Sequence, residues 1–169
     1  TGNIATEAQI RELLTMGILV VVDETYFEFC GHTVLPLIHQ YPNLMVLRSF
    51  SKWAGLAGLR IGLGVMNPKL VNFMMKIKPP YNVNLAAEVA LSASLDDSEN
   101  LKIRIGEIVS ERERMFGQLV NIPGVIPWPS QANFILCQIT GGDAKKVFES
   151  LARRGIILRN FSSPSIVNF

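Results

Sequence analysis

The residues best suited to chemistry lie in the stretch Arg48-Ser-Phe-Ser-Lys-Trp-Ala-Gly-Leu-Ala-Gly-Leu-Arg60, between the apolar runs Leu44 to Leu47 and Ile61 to Met66. It holds two hydroxyls (Ser49, Ser51), one amine (Lys52), two glycines (Gly55, Gly58) and the guanidinium of Arg60. A lysine beside hydroxyls at a strand end can hold a phosphate, or lose its proton and form an imine with an aldehyde. In phosphate loops of the Gly-x-x-x-x-Gly-Lys-Ser/Thr kind the glycines precede the lysine, so that backbone amides wrap the phosphates. Here they follow it, which suits a lysine projecting into a cavity with Ser49 and Ser51 near an anion. Arg60, read as returning on the next strand, adds a planar bidentate donor. One phosphate plus one imine fits this set.

These groups need strands to position them. Both flanking runs read as buried strands. Upstream, Gly17 to Tyr26 reads as a strand buried on both faces, β-branched and uncharged until Asp23, as a central parallel strand would be. Asp23 then sits at a carboxyl strand end, where open α/β sheets bind ligands, and Tyr26 follows it closely.

Val-Val-Asp-Glu-Thr-Tyr26, Ser-Phe-Ser-Lys52 and Gly-Leu-Ala-Gly-Leu-Arg60 together resemble the fold-type I aminotransferases that use pyridoxal phosphate, and among them the histidinol-phosphate aminotransferases. Pro79-Pro-Tyr-Asn-Val-Asn84, Ser130-Gln-Ala-Asn-Phe134 and Gly155-Ile-Ile-Leu-Arg159 extend the resemblance, in family order, over nearly the whole chain. The ordered set is far more specific than any one motif.

By position, the resemblance implies that Lys52 bonds the cofactor covalently and later moves the proton between substrate carbon and cofactor. Asp23 corresponds to the acid paired with the pyridine nitrogen, described in the family as a buried carboxylate that keeps the ring protonated and so a better electron sink. Tyr26 corresponds to the phenol that donates to the ring O3'. Ser49, Ser51 and Arg60 correspond to the binders of the cofactor phosphate, and Arg159 to an arginine that grips the phosphate of the substrate. The implied fold is α/β: part of a large, mixed-sheet pyridoxal-phosphate domain over residues 1–80, a linking helical region over 81–100, and part of a small α+β domain over 101–169. The implied reaction moves an amino group between glutamate and imidazole-acetol phosphate, in a homodimer of the full-length protein. Other readings in reach are a phospho-substrate enzyme of the same fold, such as a threonine-phosphate decarboxylase, and a non-catalytic aminotransferase-like sensing module.

Each residue also has a plainer reading. Arg60 could be a surface charge, but an arginine between Leu59 and Ile61 on a buried strand needs an anionic partner. Asp23 could cap a turn. Arg159 could be a rim charge, since Arg153 and Arg154 stand close by, and Trp53 reads as a packing aromatic. Ser49 and Ser51 could shape the loop.

The 169 residues are 49% hydrophobic and 18% charged, which excludes a disordered chain. A net charge of +2 without a basic, aromatic-interleaved cluster points away from nucleic acid and membrane surfaces and toward small metabolites. Cys30 and Cys137 have neither zinc-site nor disulfide-framework spacing and fit a reducing compartment, the cytoplasm or a plastid stroma. No metal site is read, and His32 and His39 read as loop or surface residues.

Along the chain, Thr6-Glu-Ala-Gln9 is a capping box for a helix with Ile10, Leu13 and Leu14 on one side. Cys30 to Asn43 reads as a loop with a short helix. Pro68 opens a helix to about Lys76, stopped by Pro79-Pro80. Asn84 caps a helix with Leu85, Val89 and Leu95 on its apolar side. Ser98 caps a longer one with Leu101, Ile105, Ile108, Met115 and Leu119 inward and Glu111 to Arg114 as its wet face. Pro123-Gly124 and Pro127 to Ser130 read as breaks, and Ala132 to Ile139 as a strand. Asp143 caps the last helix, Gly155 ends it, and Ile156 to Arg159 reads as a further strand. The resemblance sets Thr1-Gly2 in an Asn-Pro-x-Gly turn and puts an Arg-Ile-Ser/Thr segment beyond Phe169. The expectation is therefore an internal fragment, inactive by itself.

Overall fold

The computed structural model describes residues 2–161 and 168–169, so Thr1 of the expected turn lies outside the described residues. The chain forms two compact units, one of Ile4–Glu107 and one of the residues from Ile108 onward with Gly2 and Asn3.

In the first unit, helix α1 (Glu7–Thr15) starts where its capping box requires: the Thr6 hydroxyl accepts from the Gln9 amide at 3.3 Å, and Gln9 Oε1 accepts from the Thr6 amide at 2.9 Å. Ile10 and Leu14 are its buried residues. Strand β1 (Val20–Asp23) pairs in parallel with β2 (Leu44–Ser49), from Val20 opposite Leu44 to Asp23 opposite Leu47. Strand β3 (Gly62–Met66) pairs antiparallel with β2, Ser49 opposite Gly62, in a sheet ordered β1-β2-β3. Between β1 and β2 run the one-turn helix α2 (Phe27–Cys30) and a 3-10 turn over Leu35–His39. Ile10, Leu14, Val20, Val34, Leu37, Leu44 and Val46 form one core.

Two strand expectations need correction. Among the described residues β1 stands at the edge of the sheet, where a central strand was expected, and it alternates: Val20 is buried whereas Val21 is 50% exposed and Asp23 is exposed. β3 is mostly exposed as well. Among the described residues, the face that packs on α1 and the Leu35–His39 turn is the covered one, and β2 is the best buried strand. Apolar content alone did not reveal this, because a β-branched run reads alike whether one or two faces are packed.

Helix α3 (Pro68–Ile77) has Asn67 as its cap and Pro68 in its first turn, and Asn84 Oδ1 caps α4 (Leu85–Asp96) by accepting from the Ala87 amide at 2.9 Å. The inward face of α4 differs from expectation. Leu85, Val89 and Leu95 are exposed, while Ala87 is buried with Phe50, Ala54, Ile61 and Leu101 and has Leu91 beside it. Helix α5 (Ser98–Leu119) begins one residue after α4, with Ser98 inside the helix rather than flanking it. Leu101 is buried, but Ile108 and Met115 are exposed. Periodicity shows which stripe is apolar, not which stripe is covered.

In the second unit, the expected strand over 132–139 is confined to β5 (Cys137–Ile139), antiparallel to β4 (Val125–Pro127), which falls where Pro127 was read as a break. Proline is tolerated there because β4 has one partner strand and can turn its donor-free edge outward. Arg112, expected on a wet face, is 10% exposed and donates to Ala132 O at 3.0 Å. Asp143 Oδ1 accepts from the Lys145 amide at 2.9 Å to cap α6 (Ala144–Arg153), and Gly155, at φ 81°, lies just past the helix end. Ile156 to Arg159 is not a strand: no ladder pairs it among the described residues, and Ile139 N donates to Asn168 O instead.

Candidate active site at the carboxyl end of the sheet

Parallel β1 and β2 place their carboxyl ends at the same end of the sheet, and antiparallel β3 begins there. Asp23 ends β1, Tyr26 opens α2 three residues later, Ser49 ends β2, Ser51 and Lys52 follow in the turn, and Arg60 precedes β3. Six of the seven residues singled out from the sequence are therefore brought to one sheet end within one compact unit. The seventh, Arg159, lies in the other unit, exposed, with its guanidinium 6.0 Å from the Phe161 ring centre.

The loop after β2 is tied down from both sides. Ser49 Oγ accepts from the Ser51 amide at 3.1 Å, Phe50 is buried against Trp53, and the Phe50 amide donates to Ile61 O at 3.3 Å. A Cβ on Gly62 would come within 2.7 Å of Arg48 O, so glycine is what allows β3 to close on β2 beside the loop. Trp53 packs on Phe50 as its plainer reading has it.

Arg60 departs from expectation in position. It lies in the turn after the 3-10 segment Ala57–Leu59, exposed, not on a buried strand. Its backbone is left-handed, φ 55° and ψ 46°, a conformation that costs a non-glycine residue free energy. In that conformation Nη1 donates to Ala57 O at 2.9 Å and reaches Ser51 Oγ at a long 3.4 Å. Lys52 is exposed too, and neither Lys52 nor Arg60 has a carboxylate partner among the described residues. Two unpaired cations next to two hydroxyls form a surface that favours an anion.

The Asp23 carboxylate is exposed rather than buried, and Oδ1 accepts from the amide and the hydroxyl of Thr25. The buried acid is its neighbour Glu24, 8% exposed, which sequence reasoning left without a role. Glu24 accepts from Arg48 Nη2 at 2.9 Å and Nε at 3.1 Å, from the Thr33 hydroxyl at 2.7 Å and from the Val34 amide at 2.7 Å. The Arg48 guanidinium also stacks 3.5 Å from the centre of the Phe27 ring. A signal for this pair was present: an arginine ending a buried strand needs an anion, and the β1/β2 register that sets Val20 opposite Leu44 carries Glu24 toward Arg48. Nearby Glu28 has its pKa pushed up by burial, with the cation of Arg48 pulling the other way.

Among the described residues no group of three or more His, Cys, Asp or Glu could hold a metal ion, and no helix is long and apolar enough to cross a membrane.

The geometry has close relatives among known proteins. The chain is 47% identical to a histidinol-phosphate aminotransferase of Roseiflexus castenholzii, over 98% of this chain and 46% of that protein. The crystal structure of the histidinol-phosphate aminotransferase from Clostridium acetobutylicum superposes with a TM-score of 0.85 at 26% identity, covering 95% of this chain and 51% of that one. The enzyme of that name from Sinorhizobium meliloti, solved in complex with pyridoxal-5'-phosphate, matches at a TM-score of 0.79 and 26% identity over 94% of this chain and 46% of that one. The chain thus spans about half the length of the relatives it matches and has the α/β fold of the fold-type I pyridoxal-phosphate enzymes. All 169 residues match the family described as aminotransferase class I and II, and the chain belongs to that family.

Proposed function

We propose that the chain supplies the cofactor-binding end of a histidinol-phosphate aminotransferase, an activity that belongs to a protein of the relatives' length. The observation that carries this reading is the gathering of Lys52, Ser49, Ser51, Arg60, Asp23 and Tyr26 at one end of a sheet, in a chain 47% identical to an enzyme of that name. The residues present fit pyridoxal 5'-phosphate: an unpaired amine for an aldehyde, a guanidinium and two hydroxyls for a phosphate, and a carboxylate for a ring nitrogen.

When bound, the cofactor supplies the aldehyde that captures an amino group and the electron-poor ring that stabilises a carbanion. Lys52 Nζ would offer the amine that holds the cofactor and, once the substrate's own amino group has taken its place, would be free to take the proton from the substrate's reacting carbon. Arg60 and the hydroxyls of Ser49 and Ser51 hold the phosphate, and the left-handed turn at Arg60 directs its guanidinium toward the Ser51 side of the loop. Asp23 Oδ2, which carries neither Thr25 bond, keeps a proton on the ring nitrogen. The Tyr26 hydroxyl donates to the ring oxygen. Arg159 binds the substrate's phosphate, a role carried by the resemblance of Gly155 to Arg159 alone. The reading includes a homodimer of the full-length protein, carried by the resemblance alone.

The test uses the full-length gene product. Histidinol phosphate and 2-oxoglutarate should yield glutamate, and Lys52→Ala should abolish the product. Release of carbon dioxide from O-phosphothreonine without amino transfer would overturn the substrate assignment in favour of a decarboxylase.

A further inference from the structure

We infer that the buried Glu24–Arg48 pair is a positioning clamp that holds the two halves of the candidate site at a fixed spacing without touching cofactor or substrate. The inference rests on the reading just given, since it treats the sheet end as the site. Glu24 stands between Asp23 and Tyr26 in the chain, and Arg48 stands directly before Ser49 and the Ser51-Lys52 turn. Their side chains are 6% and 18% exposed, for Glu24 and Arg48 respectively.

Side chains alternate along a strand, so Asp23 and Glu24 leave opposite faces, as do Arg48 and Ser49. Asp23 and Ser49 therefore share one face, and Glu24 and Arg48 share the other, the face that packs on α1 and the Leu35–His39 turn. Backbone pairing joins the β1 half of the site to the β2 half only as far as the Glu24 amide, which donates to Leu47 O at 2.8 Å. Beyond that bond β1 leaves the sheet, while β2 runs on to Ser49 paired with β3 and no longer with β1. Glu24 then makes a side-chain ladder of its own, with Oε2 taking both Arg48 nitrogens and the Thr33 hydroxyl, and Oε1 taking the Val34 amide. Thr33 Oγ1 in turn accepts from Arg48 Nη2 and from the Leu35 amide, both at 3.0 Å, so all three side chains are mutually fixed. Phe27, next to Tyr26, covers the guanidinium.

A buried pair of this kind adds little net stability compared with apolar residues of similar volume, because desolvation offsets the attraction. It does impose direction: two Arg48 N–H groups converge on Oε2 while Thr33 and the Val34 amide hold the same carboxylate, and few carboxylate positions satisfy all of these donors together. The clamp accounts for a charged pair at a place where leucine and methionine would fill the space.

The experiment compares the parent chain with Glu24→Gln, Arg48→Lys and the double variant Glu24→Leu/Arg48→Met, by hydrogen exchange of backbone amides. In the double variant the core amides of Val22 and Val46 should exchange as in the parent, while those of Thr25 to Phe27 and of Ser51 to Trp53 exchange about tenfold faster, a coupling ordinary for residues in one network. Arg48→Lys, which keeps charge but not the fork, should show the same local effect. Unchanged exchange in both segments, or a uniform rise that includes Val22 and Val46, would overturn the clamp. The double variant keeps this test available if a single variant fails to fold. A parallel arm adds pyridoxal phosphate and borohydride: failure to label Lys52 in the parent sinks the functional reading alone, because the exchange comparison needs no cofactor.

Discussion

The two faces at the end of the same short sheet are built on opposite plans. On one face Glu24 is buried and Arg48 partly so, and every oxygen of the carboxylate has a donor. On the other stands Asp23, exposed, and in the turns at that strand end Lys52 and Arg60 are exposed too, neither cation having a carboxylate partner among the described residues. Residue types hardly differ between the faces, since each carries acid, base and hydroxyl. What differs is satisfaction. A charged set closed on itself has its hydrogen bonds made within the fold, whereas one left open next to the left-handed backbone of Arg60 keeps donors to offer, and the proposed reading gives them a ligand.

The largest effects should come from breaking the closed face. Glu24→Ala or Arg48→Ala leaves a buried charge unpaired and should lower stability by about 3–5 kcal/mol, read from denaturant unfolding. Losses below about 1 kcal/mol would mean that the pair is solvated and the contrast between faces is false.

Arg60 sharpens the comparison because stability and binding should move apart there. Arg60→Gly removes a left-handed non-glycine residue and should leave the fold equal or more stable by up to about 1 kcal/mol. The same change should weaken pyridoxal phosphate binding by about 1.5–3 kcal/mol, the loss of a charged hydrogen-bonding partner, seen in a spectral titration. If both quantities fell together, Arg60 would belong to the closed, structural set.

Asp23→Asn should change stability by less than about 0.5 kcal/mol, as expected at an exposed site, since an amide oxygen can still accept from Thr25. It should nevertheless remove most turnover in the full-length protein, because an amide cannot hold a proton on a ring nitrogen.

The smallest effect concerns Glu28. Burial raises its folded pKa above the unfolded value, so the stability associated with its protonated form is fully present below the unfolded pKa and lost as pH rises through the folded one. Glu28→Gln should therefore be slightly more stable than the parent at neutral pH, with the gap closing in acid. Urea midpoints at the two pH values check the sign.

Local signals were legible in the sequence. Thr6, Asn84 and Asp143 cap the helices they precede, because capping depends on a few adjacent residues. The gathering of Asp23, Ser49, Ser51, Lys52 and Arg60 was legible as well, since each flanks a strand end. Burial was not. Val89, Ile108 and Met115 lie on apolar stripes yet are exposed, because a stripe states a capacity to pack and not the presence of a neighbour. Ile156 to Arg159 has strand composition without a ladder partner among the described residues. Glu24 was overlooked for a related reason: its role depends on Arg48 and Thr33, brought together by register and by the turn after Gly31 rather than by spacing.

The measurement that bears most directly on the open face is where pyridoxal phosphate attaches. Incubating the chain with the cofactor, reducing with borohydride and mapping the labelled peptide should place one label on Lys52, with none in Lys52→Ala. Lys69 and Lys76 lie on α3 in the same compact unit and serve as internal controls. A label on either of them with Lys52 untouched would contradict the account.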